Sequence, residues 1–355
     1  MAWDYTFLDG FDHYASADID KKWDYSPDGA SIQSTTARNG GKANNIGTST
    51  RLTKITPTSR NFCMGLAFHM YGVPGATVGS NGTVVWSVGN DLAGNTGTTQ
   101  ISLNLLSDGK FRIVRSTSAG ITGASGSAAT LATGSFTMPM STFVYIEFKV
   151  FLDDTVGTAE LKINGVVDAT FTGDTVSQSY NTANRVILIS PASGYWDDVY
   201  IRSSTSSSAE SGGYLGDVSV KAYYTNADGT YTGMTCSTGS THYTLVDETT
   251  PNTSDYVSSA VALTKDSFGF QDVSGSGTIQ AVQLNAYTSK NDSGFRGADL
   301  FCKSGATENF AASAPLSTTW KYLMQGWQTD PNTGAAWTIA NFNAAEFGVR
   351  VSADL

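Results

Sequence analysis

The sequence predicts an all-β protein: two β-sandwiches in tandem, with at most one or two short helices near the C-terminus. Three observations lead there. Helical periodicity is almost absent, while short runs alternate apolar and polar residues between Gly, Asn, Asp and Ser. The composition is 40% hydrophobic and only 15% charged, with 37 Gly and 8 Pro, which fits a folded strand-rich chain and neither a disordered nor a coiled-coil one. Finally, 355 residues suit two domains, and the strand pattern is broken at SSTSSSAESGG, residues 203–213.

Taken in order, the first strands are FCMGLAFHMY (62–71), TVVWSVG (83–89), QISLNLLSDGKFRIVR (100–115), FVYIEFKVFLDD (143–154), AELKINGVV (159–167), RVILIS (185–190) and YWDDVYIR (195–202). Asp108-Gly109 marks a hairpin tip, where Gly takes the positive φ of a tight turn. A second hairpin spans 147–167, with Gly157 in its first turn and Asn164-Gly165 starting another. Val144, Ile146, Phe148 and Val150 share the core face of its first arm, and Tyr145, Glu147, Lys149 and Phe151 share the other. In the closing strand, alternation puts Val199 and Ile201 inside, with Trp196 on the opposite face under a loop or the second domain. These strands define a domain over 1–202, followed by a Ser/Gly-rich linker at 203–213 that is expected to be the first site of proteolysis.

Beyond it the pattern restarts with YLGDVSVKAYYT (214–225), HYTLVDE (242–248), DYVSSAVAL (255–263), SFGFQDV (267–273), IQAVQLNAYTSK (279–290), ADLFCKSG (298–305), KYLMQGWQTD (321–330) and FGVRVS (347–352). About 140 residues can bury a core of their own, so 214–355 is expected to be a second β-sandwich. WTIANFNAAEFG (337–348) reads as two short turns entered from DPNTG, since Trp337, Ile339, Phe342 and Phe347 form no single stripe.

The formal charge is −10. Residues 1–205 carry 14 Lys and Arg against 17 Asp and Glu, and residues 206–355 carry 7 against 14. No basic face is left to neutralise phosphates, which excludes nucleic acid as a partner. Cys63, Cys236 and Cys302 have no metal-binding spacing; an odd number excludes a full disulfide framework but leaves one bridge open. The N-terminus MAWDYTFLDGFDHY lacks the basic and apolar regions of an export signal, and no window is apolar enough to span a membrane. Synthesis in a cytoplasm, without export by the usual route, is the expectation.

The first domain resembles the concanavalin A-like, or laminin-G-like, jelly roll. The residues that carry this are FLDGFDHY, RNGGKANNI (38–46), the hairpin at 108–113, FVYIEFKV with GTAELKINGVV, and the closing YWDDVYIR. The whole order, from YWDDVYIR through the Ser-rich spacer to DPNTGAAWT and FGVRV, is similar to a two-domain protein among the virion components of tailed bacteriophages. That resemblance implies two jelly-roll sandwiches in a tail fibre, baseplate or other exposed tail appendage, acting in assembly and in attachment to the host surface. The alternatives are a capsid decoration or head-fibre protein, and a glycan-binding lectin module. It further implies other virion proteins as partners, self-association with a trimer first in order, and a host-surface glycan as ligand.

An enzyme of this fold that hydrolyses glycosides would offer two carboxylates from one strand, in an E-x-D-x-x-E run. Glu147, Glu160, Glu210, Glu248, Glu308 and Glu346 form no such run. Asp197 and Asp198 are strand neighbours on opposite faces, read as structural, with an ion-ligand role as the alternative. Asp153-Asp154 is a hairpin tip that favours local turn bonds, with calcium as the alternative. His13, His69 and His242 stand apart from one another, and no nucleophile elbow or phosphate loop is present. The expectation is therefore a non-enzymatic chain with no catalytic residue, no cofactor and no metal. Tyr180, in SQSYNTANR, and Tyr231, in DGTYTGM, remain as candidate surface-binding aromatics, able to stack on a sugar ring or on a neighbouring subunit.

Overall fold

A computed structural model describes residues 3–26, 30–46, 51–72, 82–90, 98–116, 128–177, 180–189 and 193–353. It is an all-β chain that divides into two compact units, Met1–Lys221 and Ala222–Leu355. Among the described residues no helix is long and apolar enough to cross a membrane.

The first unit is a sandwich of two antiparallel sheets. The larger holds β1 (Asp4–Asp9), β2 (Ala30–Gln33), β3 (Ala43–Ile46), β5 (Asn61–Met70), β10 (Phe143–Phe151), β11 (Gly157–Ile163), β12 (Val166–Gly173) and β14 (Gly194–Ser204), ordered β12-β11-β10-β5-β14-β3-β2 with β1 also paired to β14. The smaller holds β4 (Arg51–Ser59), β6 (Thr83–Asn90), β7 (Thr98–Leu105), β8 (Lys110–Ser116), β9 (Ala128–Thr137) and β13 (Ala183–Ile189), ordered β4-β13-β6-β7-β8-β9. The predicted hairpins form at Gly109 and at Asn164-Gly165, where φ is +80°, +49° and +80°. Val144, Ile146, Phe148 and Val150 lie opposite Phe68, Leu66, Met64 and Phe62, and all eight are buried in the core.

A bulge in β14 changes the expected register. Pairing with β5 shifts between Asp197 and Tyr200, and Asp198 takes φ +52°. One extra residue on one strand reverses the alternation beyond it. Trp196 and Ile201 therefore pair with Phe68 and Met64 and face the core together, which corrects the expectation that they oppose each other.

The expected linker is the larger correction, because residues 203–213 complete β14 and then lie on the first unit as a strap that continues to Lys221. Small polar residues without periodicity read as a linker, but here side chains from the sandwich take up the irregular backbone. Asn61 donates to the Ser206 and Ser208 carbonyls, both at 3.0 Å. Trp3 Nε1 donates to Ser211 O at 3.0 Å and Arg202 to Gly213 O at 2.9 Å. Gly213, at φ +93°, lies so close to Trp3 that a Cβ would come 2.7 Å from the ring. Further on, Tyr214, Leu215 and Val218 pack on Trp3, Cys63, Ala67, Tyr145 and Tyr200, making a third layer on the outer face of the larger sheet.

The opening FLDGFDHY stretch has an internal reason. Asp9 is fully buried and accepts from Phe11 N, Lys22 Nζ, Tyr14 OH and Trp23 Nε1 at 2.6–3.0 Å. The one-turn helix α1 (Ile19–Lys22), which the sequence reading did not anticipate, delivers Lys22 and Trp23 to that carboxylate.

In the second unit, β15 (Thr225–Thr232), β18 (Lys265–Phe270), β20 (Gly297–Ser304), β21 (Thr307–Phe310) and β24 (Glu346–Val351) form a sheet ordered β15-β18-β24-β20-β21, extended by β22 (Ala314–Pro315). Two ribbons stand outside it, β16 (Thr235–Cys236) with β17 (Val257–Ser258), and β19 (Val282–Thr288) with β23 (Lys321–Trp327). The core packs Cys302, Trp327, Trp337, Phe342 and Phe347 with Val282 and Leu284. Helix α2 (Ile339–Asn343) is capped by Thr338 Oγ1, which accepts from Asn341 N. Phe347 belongs to the strand that follows it, so the aromatic residues at 337–348 never needed one stripe. The strand expected at 214–225 is absent, and the one at 242–248 is a short 3-10 turn, Tyr243–Leu245. Only Val257–Ser258 of the strand expected at 255–263 is extended.

Candidate functional site

Strand alternation sends one row of polar side chains of the smaller sheet away from the core. Ser87 lies opposite Ser102, and Ile187 lies between Ser87 and Thr53. On the same faces of their strands lie Gln100 and Asn104 of β7 and Arg185 of β13, while Trp86, Ile101, Leu103, Val186 and Leu188 take the core side. Gln100, Ser102, Asn104 and Arg185 have no exposed surface. Ser102 Oγ donates to Asn104 Oδ1 at 2.8 Å. Gln100 Nε2, Ser87 Oγ and Thr53 Oγ1 are buried without a hydrogen-bond partner. Each such group costs about 1–3 kcal/mol, which a ligand offering oxygens would offset.

Tyr180 lies close in sequence to a segment bonded to this face. Ser177 N donates to Gln100 Oε1 at 2.6 Å, and Thr175 Oγ1 donates to Phe151 O at 2.8 Å, so the chain at 175–177 is pinned to the sheets. On the other side the chain re-enters the smaller sheet at Ala183, which pairs with Ser59. Between these points Tyr180 is 57% exposed. An exposed tyrosine ring can stack on the apolar face of a sugar. Tyr180 was marked from the sequence, whereas Gln100, Ser102 and Asn104 were missed. Their alternation in QISLNL was the available signal, read only as strand.

Tyr231 lies on β15 and not in a loop. Its hydroxyl donates to Glu308, and Lys265 Nζ sits 3.6 Å from its ring centroid while binding both Glu308 oxygens at 2.8 Å. Beside it Phe301 stacks on Phe310, and the Arg350 guanidinium lies 3.7 Å from the Phe310 ring centroid while binding Asp299. Glu346 accepts from Ser267, Thr230 and Lys303. Burial raises the Glu346 carboxyl, but these bonds prevail and hold it at about 2. Tyr231 and Tyr180 are thus in different units, and Tyr231 is tied into a network that closes on itself.

Asp197 and Asp198 converge, contrary to the expected divergence, because of the bulge. Asp197 Oδ2 accepts from Arg38 N at 2.9 Å, and Asp198 Oδ2 from Arg38 Nη1 at 3.0 Å. Asp198 Oδ1 also accepts from Val220 N at 2.6 Å, which ties down the end of the strap. Burial and the neighbouring Asp198 charge push Asp197 up to about 8, and burial pushes Asp198 up to about 6. Asp153 accepts from Thr155 N and Val156 N at 2.9 Å and pairs with Arg60, as a turn residue does. His13 and His69 lie in the first unit, His69 between the Tyr71, Phe143 and Tyr195 rings, while His242 binds Asp266 at 2.7 Å in the second. All three cysteines are free. Among the described residues, no group of three His, Cys, Asp or Glu side chains is placed to hold a metal ion.

No protein-family model matches the sequence, and no curated protein does. Solved structures are similar in fold. They include an endo-β-1,4-glucuronan lyase from the fungus Trichoderma reesei, at 10% identity and a TM-score of 0.41 over 57% of this chain and 96% of that one. A protein of unknown function with a galectin-like fold from Bacillus subtilis is similar at 10% identity and a TM-score of 0.36, over 57% and 98%. The carbohydrate recognition domain of Emp46p gives 10% identity and a TM-score of 0.37, over 57% and 98%. The expected non-enzymatic character is corrected by the same comparison, since polysaccharide lyases are among the similar structures. The carboxylate pair that the sequence lacks belongs to hydrolysis. Elimination beside a sugar carboxylate needs a proton acceptor instead, so the missing pair excludes nothing of that kind.

Proposed function

We propose that the chain is a glycan-binding virion protein of a tailed phage, contacting host-surface carbohydrate through the polar face of the smaller sheet and Tyr180. The glycan reading rests on an exposed Tyr180 three residues after Ser177, whose backbone N–H is bonded to Gln100, together with the buried donors of Gln100 and Ser87 that lack partners. The placement in a particle, in a tail fibre, baseplate or other exposed appendage, rests on the sequence resemblance across both units. Repetition by symmetry, a trimer first, would let weak single-site binding act together.

The test is an oligosaccharide array probed with the purified chain, followed by titration of the best sugar. Tyr180→Ala and Gln100→Leu should each weaken binding about tenfold. Unchanged affinity in both variants would refute the site. A cryo-EM map of the parent particle tests the placement, and its absence from the tail would refute that part alone.

A further inference from the structure

Six Lys and Arg residues lie between 222 and 355. Lys265, Lys303 and Arg350 are bound to Glu308, Glu346 and Asp299 on the sheet. The other three, Lys290, Arg296 and Lys321, meet at the free end of the β19–β23 ribbon. Lys321 lies opposite Thr288, and Lys290 N donates to Ser317 O at 2.9 Å. Leu316 N donates to Arg296 O at 2.8 Å. Within 284–296 and 316–323 the single carboxylate is Asp292. The second unit as a whole is acidic, so this end is a local reversal of sign.

The same end is aromatic. Tyr287 stacks on Trp320 with centroids 5.3 Å apart and planes at 21°, and lies 5.0 Å from Tyr322 on the facing strand. The loop from β19 to β20 is held rigid. Lys290 Nζ donates to Gly294 O, Gly294 N donates to Asp292 Oδ1 at 3.0 Å, and Arg296 binds both Asp292 Oδ2 and Phe295 O at 2.8 Å. That loop presents Phe295 at 84% exposure. A large apolar ring held out by its own loop is fixed at little entropic cost, as a binding anchor is.

We propose that this end of the second unit is a separate binding surface for an acidic polysaccharide, one built of sugar carboxylates. Trp320 with Tyr287 and Phe295 supply faces for pyranose rings. Lys290 and Lys321 supply the countercharge, while Arg296 is held by Asp292. A neutral glycan would leave the gathering of the cations unexplained. A polyphosphate has no pyranose face for Trp320, Tyr287 and Phe295 to meet.

The test is affinity electrophoresis of the full chain through polygalacturonate and, in parallel, through the same polymer fully methyl-esterified, which removes charge and keeps the sugar. The expected result is retardation by polygalacturonate alone, about tenfold weaker in Phe295→Ala and in Lys321→Glu. It should fade towards 1 M salt, where screening shortens to about 3 Å. Both substitutions are at exposed side chains, so an unchanged thermal midpoint should confirm folding. Tyr180→Ala should leave this retardation intact, which separates it from the first unit's site. Equal retardation by the ester, or none by polygalacturonate, overturns the proposal. So does a fall in sedimentation mass in Phe295→Ala, which would make this end a contact between copies.

Discussion

Replacing Glu147 with Leu should detach the strap. Glu147 is 1% exposed, and its Oε1 accepts from Tyr200 OH at 2.6 Å, Leu215 N at 3.0 Å and Gly216 N at 2.9 Å. Leucine fills much of the space but leaves the buried Tyr200 hydroxyl and the half-buried Leu215 and Gly216 amides without this acceptor. At about 1–3 kcal/mol each, less what the strap recovers by lifting into water, the loss is about 4 kcal/mol. For a unit of this size that is a fall of about 8–16 °C in thermal midpoint. Lifting has its own cost, because Leu215 and Val218 leave the apolar surface of Trp3, Ala67 and Tyr145. Trypsin is a poor probe here, since the Ser-rich segment has no Lys or Arg between Arg202 and Lys221. Elastase or proteinase K should leave 203–216 intact in the wild type and cut it first in Glu147→Leu. First cleavage of the wild type within 203–213, or a change below about 1 kcal/mol in urea unfolding, would refute the strap as an integral layer.

Further outcomes follow from the charges and the core. Because the folded Asp197 carboxyl stands near 8, above its unfolded value of 3.8, the first unit should lose stability as pH rises from about 4 to 8; Asp197→Asn should flatten that fall in scanning calorimetry. Glu346 has the opposite sign: held at about 2, it contributes stability that is lost as pH falls from about 4.5 to 2, and Glu346→Gln should remove that part of the acid transition. Trp196→Ala should cost about 3–5 kcal/mol in denaturant unfolding, since the ring is fully buried on the core face of β14; a cost below about 1 kcal/mol would mean it lies outside.

The parts of the fold legible in the sequence are those fixed by local rules. Asn164-Gly165 and Asp108-Gly109 set their turns through positive φ, and Val144 to Val150 set a core face through alternation. What was not legible depends on partners far away in the chain. The strap looks like a linker because nothing within 203–213 says that Asn61, Arg202 and Trp3, over 140 residues away in two of three cases, will bind its carbonyls. The bulge at Asp198 hides similarly: WDDVYI alternates well enough to read as regular, and only Arg38 and Val220 reveal why both carboxylates turn the same way. Of the candidate site, Tyr180 stood out as an aromatic in a polar loop. Gln100, Ser102 and Asn104 did not, because polar residues alternating in a strand ordinarily face water, and here they are buried.

The strap also bears on which face of the first unit is free to bind. The outer face of the larger sheet is occupied by residues of the same chain: Glu147, Lys149, Arg202 and Asp198 all bond to the strap. Four polar side chains there are answered by the strap, although Glu147 Oε2 is buried without a partner. On the smaller sheet Gln100 Nε2, Ser87 Oγ and Thr53 Oγ1 are buried and unanswered. Leaving several such groups in one row lowers stability without giving the core anything in return. That cost is understandable when the row serves an external ligand, and exposed Tyr180 follows three residues after Ser177, which Gln100 holds.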